Sequence, residues 1–587
     1  MSDRNPYFTM HNPYILLIHN LTDMNPLKLT VAAMTLTAVS QLTYAQSAFK
    51  SSLPVKPAKG VTVSGTVECD GQPVAGIKVS DGYEVTKTDK NGAYYLKSKK
   101  KNPQVFISVP SGYEAWRDDA IPQYWADFTE TPATPERLDF RLKKRNDSKH
   151  AILVMTDLHL ANQRNDVATF SSEYMDRIRK EVKDLEAKGY TVFSFHLGDG
   201  SWDEFWYVND FPVSRLRDTF NRVSYPVPLY NIMGNHDNNG GEVWEADKDM
   251  DLEAAKPFMK AFGPRYFSFD AGDVHYIFLD NIIYRNESTE KEKTEGIAGK
   301  RNFLERISPE QFDWLRKDLF DISPETPIVI AMHCPLVKYK GVTDDVEYRL
   351  EKESAETLLD ILAPYKEIHT LTGHSHRQML TRMPEKNIVD HNITSASGST
   401  WWTSAMGCKS IGTDGIPGGY EVFTIDGNDI RWRYSAWDFE PERQFMAFDL
   451  NKVKEYLATD GEYQAYKKLY PQATDYDKEP ENTVYVCVWS YDPLGKLTIK
   501  ENGKELTAEM FMGENPAYTV TAMIQRSTWL NRYNKNTKMQ AYRMFKVHTS
   551  SPDSPLEISW TDPFGIEFRE TYERPHSFSR SEFERFR

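Results

Sequence analysis

Five apolar runs in the middle of this chain each give way to carboxylate, amide or imidazole residues, and that recurrence constrains the fold more than any bulk property. The runs are AILVM (151–155), TVFSFHL (191–197), VPLYNIM (227–233), PIVIAM (327–332) and EIHTL (367–371). They barely alternate between apolar and polar residues, as strands buried on both faces do. Between them lie helix-like stretches at Glu173–Lys188, Pro309–Phe320 and Ala355–Leu362. This alternation predicts an α/β layered domain over residues 148–440. In such sheets, polar groups that act together gather beyond the carboxyl ends of the strands.

The flanks follow a different rhythm. Over residues 58–143, short period-2 runs are punctuated by Asp70-Gly71, Asp81-Gly82 and Asn91-Gly92. These are strong hairpin signals, and they predict an antiparallel β-sandwich. Strand-like text returns after residue 441 (TVYVCVW, KLTIKEN), predicting a third, β-rich domain that runs to 587. A chain of 587 residues exceeds one ordinary hydrophobic core. The predicted fold class is therefore multi-domain, a central α/β layered β-sheet core between an N-terminal antiparallel β-sandwich and a C-terminal β-rich domain. The run Lys97, Lys99, Lys100, Lys101 reads as a solvated loop.

The formal net charge of −14 argues against nucleic acid as a partner. The cysteines at 69, 334, 408 and 487 match neither a zinc nor a disulfide framework. From Met24 the chain reads MNPLKLTVAAMTLTAVSQLTYAQ, with a charge at Lys28, an apolar stretch and a small residue at Ala45. That layout predicts a signal peptide within residues 1–45, a true start at Met24 and a secreted or periplasmic protein, with a buried N-terminal helix as the alternative. The apolar core is too short to leave a membrane span in the mature chain.

The polar residues after the five runs are Asp157 and His159, Asp199, Asn235 and His236, His333, and His374 and His376. In extended chain, residues i and i+2 point the same way, so Asp157/His159 and His374/His376 can each approach a common centre as a pair. Gly198, Gly234 and Gly373 immediately precede such residues, where a turn without a Cβ is useful. Any one of these motifs alone carries little. Five in order, each after a predicted strand, point to one shared site.

Asp157-x-His159, Gly198-Asp199, Gly234-Asn235-His236-Asp237, His333 and Gly373-His374-x-His376 resemble the calcineurin-like (metallophosphatase) superfamily. The domain order resembles its bacterial three-domain members, and Gly65 through Tyr94 resembles carboxypeptidase-regulatory-like sandwiches. The resemblance implies an enzyme that hydrolyses phosphomonoesters or phosphodiesters by a metal-bridging hydroxide. It implies two metal ions, divalent or trivalent, sharing Asp199. Asp157, His159 and His376 would complete one site, and Asn235, His333 and His374 the other. Such mixed nitrogen and oxygen ligands suit Mn, Fe or Zn without choosing among them. His236 would donate a proton to the leaving oxygen, with Asp237 orienting it. Gly200 directly after Asp199 leaves no tyrosinate ligand there, and Gly200-Ser201-Trp202-Asp203 departs from the protein-phosphatase form that places an Arg nearby.

The expected partner is a phosphorylated small-molecule or envelope substrate. A pyrophosphatase or nucleotidase of the same fold is an alternative, as is a surface glycan- or envelope-polymer-binding protein with a relic core. Asp203 reads equally as a supporting group or a surface carboxylate. Trp202, Phe205, Trp206 and Tyr207, like Trp401 and Trp402, read as cleft wall or plain packing. His196, His275 and His369 lie within strands and read as structural, and Cys334 as an inert neighbour of His333.

Overall fold

The structure, a computed structural model, describes residues 49–585 apart from 57–58, 118, 240–249, 287–300, 341–344, 472–475 and 531–540. The proposed signal peptide lies outside the described residues. No helix among those described is long and apolar enough to cross a membrane.

The N-terminal segment folds into two facing small sheets. In one, Val63–Cys69 pairs with Ala93–Leu96, Gln72–Pro73 and Phe140–Lys144; the other runs Val85–Lys87, Lys78–Ser80, Gln104–Ile107, Trp125–Asp127. The purely antiparallel expectation is corrected. Val63–Cys69 runs parallel to Phe140–Lys144 and to Glu136–Arg137, because the closing strands return beside the first in its own direction. In the lysine run Lys97, Lys99 and Lys101 are exposed as expected, and Lys100 is the exception. The Lys100 side chain is 3% exposed, pairs with Glu136 and donates to the carbonyls of Glu130, Thr131 and Thr134 at 3.3, 3.1 and 2.9 Å. Four backbone and carboxylate acceptors replace its water.

The core is a sandwich of two mixed sheets. One has the order Leu229–Ile232, Thr191–Leu197, Lys149–Met155, Gly419–Asp426, Asp429–Ala436, parallel across its first three strands and antiparallel thereafter. The other has the order Phe267–Ala271, Val274–Phe278, Ile328–Ala331, Ile368–Thr372, Ile388–Asn392, Met379–Met383, parallel from the second to the fifth. Aromatic rings fill the space between them: Phe195 meets Phe278 edge-on at 4.9 Å, and Tyr230 stacks on Phe269 at 4.5 Å. Helices expected near Glu173, Pro309 and Ala355 appear as Met175–Ala187, Pro309–Asp318 and Lys352–Leu362. Val213–Arg222 and Asp251–Phe262 are further helices that the sequence reading did not anticipate.

The C-terminal segment carries two four-stranded sheets, Phe445–Asp449, Thr483–Val488, Ala541–His548, Glu509–Gly513 and Lys504–Glu505, Lys496–Glu501, Leu556–Thr561, Glu567–Tyr572. It also holds helices Leu450–Thr459 and Gly461–Leu469, capped by Asp449 and Asp460. All four cysteines are buried and free.

One buried ion cluster predicts a pH response. His275, on Val274–Phe278, has Nδ1 2.6 Å from Asp270 and Nε2 3.0 Å from Asp318. Burial lowers its pKa, but the two carboxylates outweigh burial and raise it to about 9. A histidine raised on folding contributes stability that is complete below its unfolded pKa of 6.5 and lost as pH climbs through about 9. Thermal stability should therefore fall over that window, and His275→Gln should flatten the dependence. An unchanged slope in the variant would contradict this.

Candidate metal centre

The two core sheets bring their carboxyl ends to one place. Lys149–Met155, Thr191–Leu197 and Leu229–Ile232 lead from one sheet into Asp157/His159, Asp199 and Asn235/His236. Ile328–Ala331 and Ile368–Thr372 lead from the other into His333 and His374/His376. The backbone there is not extended, which corrects the i, i+2 expectation. Asp157, His159, Asp199, His374 and His376 have φ of 54°, 47°, 52°, 65° and 53°, in the left-handed region. Each such non-glycine residue costs on the order of 1 kcal/mol or more, and this strain persists where the surroundings over-determine it.

Backbone donors fix the outer oxygens of the two carboxylates. Asp157 Oδ2 accepts from the His374 N–H at 2.9 Å and from Thr156 Oγ1 at 2.7 Å. Asp199 Oδ1 accepts from the His236 N–H at 2.7 Å. The inner oxygens face imidazoles. Asp157 Oδ1, buried with no hydrogen-bond donor, lies 3.1 Å from His376 Nε2 and 3.6 Å from His159 Nε2. Asp199 Oδ2 lies 3.3, 3.8 and 4.0 Å from Nε2 of His333, His159 and His236. Asn235 Oδ1 is 3.1 Å from His333 Nε2.

Ring nitrogens also face each other, His159 Nε2 and His376 Nε2 at 3.0 Å and His333 Nε2 and His374 Nδ1 at 3.2 Å. For the second pair, His333 Nδ1–H donates to the Leu197 carbonyl at 2.7 Å, while His374 Nε2 stands between the Glu305 acceptor at 3.2 Å and the Arg349 donor at 3.3 Å. Neutral rings protonated on those outer nitrogens would both aim lone pairs at one point, where a cation fits.

Charge points the same way. Asp157 and Asp199 are 0% and 2% exposed, and among the described residues their ion-pair partners are all histidines. Burial pushes both carboxyls up, but His376 beside Asp157 and His333 beside Asp199 outweigh it and hold both well below the usual range. Burial lowers the His333 pKa, yet the Asp199 charge carries it up to about 10. His159 falls to about 4, chiefly through burial. Two buried carboxylates without a lysine or arginine need positive charge from elsewhere. Ligand atoms of Asp157, His159 and His376 lie within 4.8 Å of one another, as do those of Asp199, His333 and His374. The donor set fits two cations sharing Asp199.

Sequence reasoning misassigned one neighbour and missed two. His236 Nδ1 meets Asp203 Oδ1 at 2.8 Å, so Asp203 and not Asp237 orients this ring. Asp237 turns away because four donors claim it: the N–H groups of Gly200, Ser201 and Gly234, and Ser201 Oγ. It ties the loop after Asp199 to the loop after Leu229–Ile232. Glu305, on Arg301–Glu305, holds His374 and forms an ion pair with Arg349, whose Nη2 lies 3.3 Å from His374 Nε2. Neither Glu305 nor Arg349 belongs to a motif, so nothing in the sequence marked them.

Trp202 walls the centre, edge-on to His159 at 5.3 Å and to His236 at 5.8 Å. Trp206 is buried and donates to Ser201 Oγ at 3.0 Å, whereas Tyr207 is largely exposed. Trp401 packs beneath, its indole N–H donating to the Leu158 carbonyl at 2.7 Å. Cys334 is fully buried, and burial pushes its thiol far up, away from reactivity.

The glycines serve by size. A Cβ on Gly234 would sit 2.2 Å from Asp199 Oδ1. Gly234→Ala should therefore displace that carboxylate and weaken metal binding at least about tenfold by calorimetric titration. Unchanged affinity would contradict a central role for Asp199.

Three family models match in succession: the N terminal of calcineurin-like phosphoesterase over residues 61–145, calcineurin-like phosphoesterase over 150–378, and the C terminal of calcineurin-like phosphoesterase over 390–568. The chain belongs to the calcineurin-like phosphoesterase superfamily. Membership makes metal-dependent hydrolysis of phosphoric esters the activity to be tested. Similar curated proteins include the serine/threonine-protein phosphatase CPPED1 of Pongo abelii, 25% identical over 229 residues, and that of Homo sapiens, 24% identical over the same length. The match takes in 38% of this chain and 60% of each relative, so the chain spans about three fifths of their length. Among solved structures, a dimetal phosphatase from Danio rerio aligns with 12% identity and a TM-score of 0.32, over 49% of this chain and 96% of that one.

Proposed function

We propose that this phosphoesterase hydrolyses phosphomonoesters or phosphodiesters with two metal ions. Asp157, His159, Asp199 and His376 would hold one, and Asp199, Asn235, His333 and His374 the other. The observation that carries this reading is the pair of buried carboxylates whose ion-pair partners among the described residues are all imidazoles converging on one centre. When bound, such ions neutralise phosphoryl oxygens and lower the pKa of attacking water.

The chain supplies the rest. Asp203 accepts the Nδ1–H of His236, which turns Nε2 toward the centre to hand a proton to the leaving oxygen. Trp202 shields His159 and His236 from solvent on one side. Asp237 holds the Asp199 and Asn235 loops at fixed separation through its four donors.

Export follows from the signal-peptide reading of residues 1–45 and belongs to this proposal. The test is hydrolysis of 4-nitrophenyl phosphate and bis(4-nitrophenyl) phosphate by the purified chain, with Mn²⁺ and after chelation. Chelator-sensitive release from either ester supports the reading. Metal bound without turnover of any phosphoester would favour a binding protein with a relic core, and no bound metal would contradict the centre itself.

A further inference from the structure

The two halves of the centre do not share negative charge equally. Asp157 and Asp199 both face the half that contains His159 and His376. The half that contains Asn235, His333 and His374 has Asp199, and its other inward donors are one amide and two imidazoles. How tightly that half holds a cation therefore depends on the groups behind its rings.

Behind His333 stands a neutral acceptor, the Leu197 carbonyl, 2.7 Å from Nδ1. Behind His374 stand two charged groups. Its Nδ1 faces His333, and its Nε2, on the far side of the ring, lies 3.2 Å from Glu305 Oε1 and 3.3 Å from Arg349 Nη2. That same Glu305 oxygen pairs with that same Arg349 nitrogen. Phe303, on the same strand as Glu305, meets the His374 ring edge-on with centroids 5.6 Å apart. The other half lacks such backing at His159, whose outer nitrogen, Nδ1, is buried without a hydrogen-bond partner among the described residues.

The two charged groups ask opposite things of one nitrogen. A carboxylate only accepts, so Glu305 favours the proton on Nε2 and leaves the Nδ1 lone pair to a cation. A guanidinium only donates, so Arg349 favours a bare Nε2 and puts the proton on Nδ1, where it excludes a cation. Arg349 also competes with the ring for Glu305 Oε1.

We propose that Glu305 and Arg349 are positioning residues that set the tautomer of His374 in opposite senses, and thereby set how tightly the second metal ion is held. Glu305 lends this half the support that Asp157 gives the other, and Arg349 holds that gain in check. The ion beside His374 is then the more readily exchanged of the two, and its occupancy follows the free metal concentration. This rests on the two-metal reading and adds a control point to it.

The test is calorimetric titration of the full-length, metal-stripped chain with Mn²⁺, together with electron paramagnetic resonance at two equivalents of metal. The unaltered chain should bind two ions and show a spin-coupled pair. Glu305→Gln should weaken one ion by about tenfold or more and leave the other unchanged, so that isolated Mn²⁺ signal grows at the expense of the pair. Arg349→Gln should act in the reverse direction and tighten one ion by about threefold or more. Local damage to the fold would not tighten an ion, and this variant serves should the first not fold. Unmoved affinities in both variants, or losses on both ions in both variants, would overturn the assignment and leave the two-metal reading standing. Fewer than two ions on the unaltered chain would contradict that reading itself.

Discussion

Replacing Asp199 by alanine is expected to abolish turnover and to remove both metal ions together. Its two oxygens do different work: Oδ1 is fixed by the His236 N–H, while Oδ2 faces His333, His159 and His236. Among the described residues no other carboxylate faces ring nitrogens of both halves, since the rings that Asp157 meets are those of His159 and His376. Losing the shared charge leaves imidazoles to hold two cations with one buried acid. The expected fall in kcat/KM is about a thousandfold or more, the equivalent of about 4 kcal/mol. A second readout separates this from unfolding. Added metal should raise the Tm of the unaltered chain, because ligands that bind only the folded state stabilise it, and should leave the variant's Tm unmoved. A variant that still gained Tm with Mn²⁺ would place the ions elsewhere.

Replacing His236 by alanine carries the second-largest expected effect, and its signature is the leaving group. A general acid contributes about 10²–10⁴-fold, and more where the departing oxygen is basic. His236→Ala should therefore lose that range on an alkyl phosphate and much less on 4-nitrophenyl phosphate, whose leaving group departs without help. Asp203→Asn should show the same selectivity in weaker form, because Asp203 acts through the Nδ1–H of His236. Asp237→Asn should show none, because Asp237 bonds backbone and Ser201 and not the ring. Equal losses on both esters in His236→Ala would assign this residue to binding and remove it from proton transfer.

The sequence made the core legible because buried parallel strands have a plain signature. Thr191–Leu197 is interior along nearly its whole length, and its apolar run says so. The residues that converge were legible for the same reason: each follows a strand end. How they converge was not. Five of them have left-handed φ, and Gly234 packs against Asp199 and Gly373 against Thr156 and Asp157, which no local pattern encodes. The partner of His236 was misjudged because sequence adjacency favoured Asp237, whereas the turn at Asp203–Phe205 brings Asp203 to the ring. Glu305 and Arg349 were invisible because they come from separate segments that meet only in three dimensions.

The C-terminal helices went unread for a related reason. Tyr463, Tyr466 and Tyr470 have residue types that favour strands, but their spacing is helical, and burial on one face decided the outcome. Lys100 shows the converse: a lysine in a charged run was drawn inside by four acceptors that the fold brings together.

The central claim is tested most directly by a crystal structure of the Mn²⁺-loaded chain with anomalous scattering recorded at the metal edge. The account predicts two peaks, one bounded by Asp157, His159 and His376 and the other by Asn235, His333 and His374, with Asp199 touching both. A single peak, or ions bound away from Asp199, would contradict it.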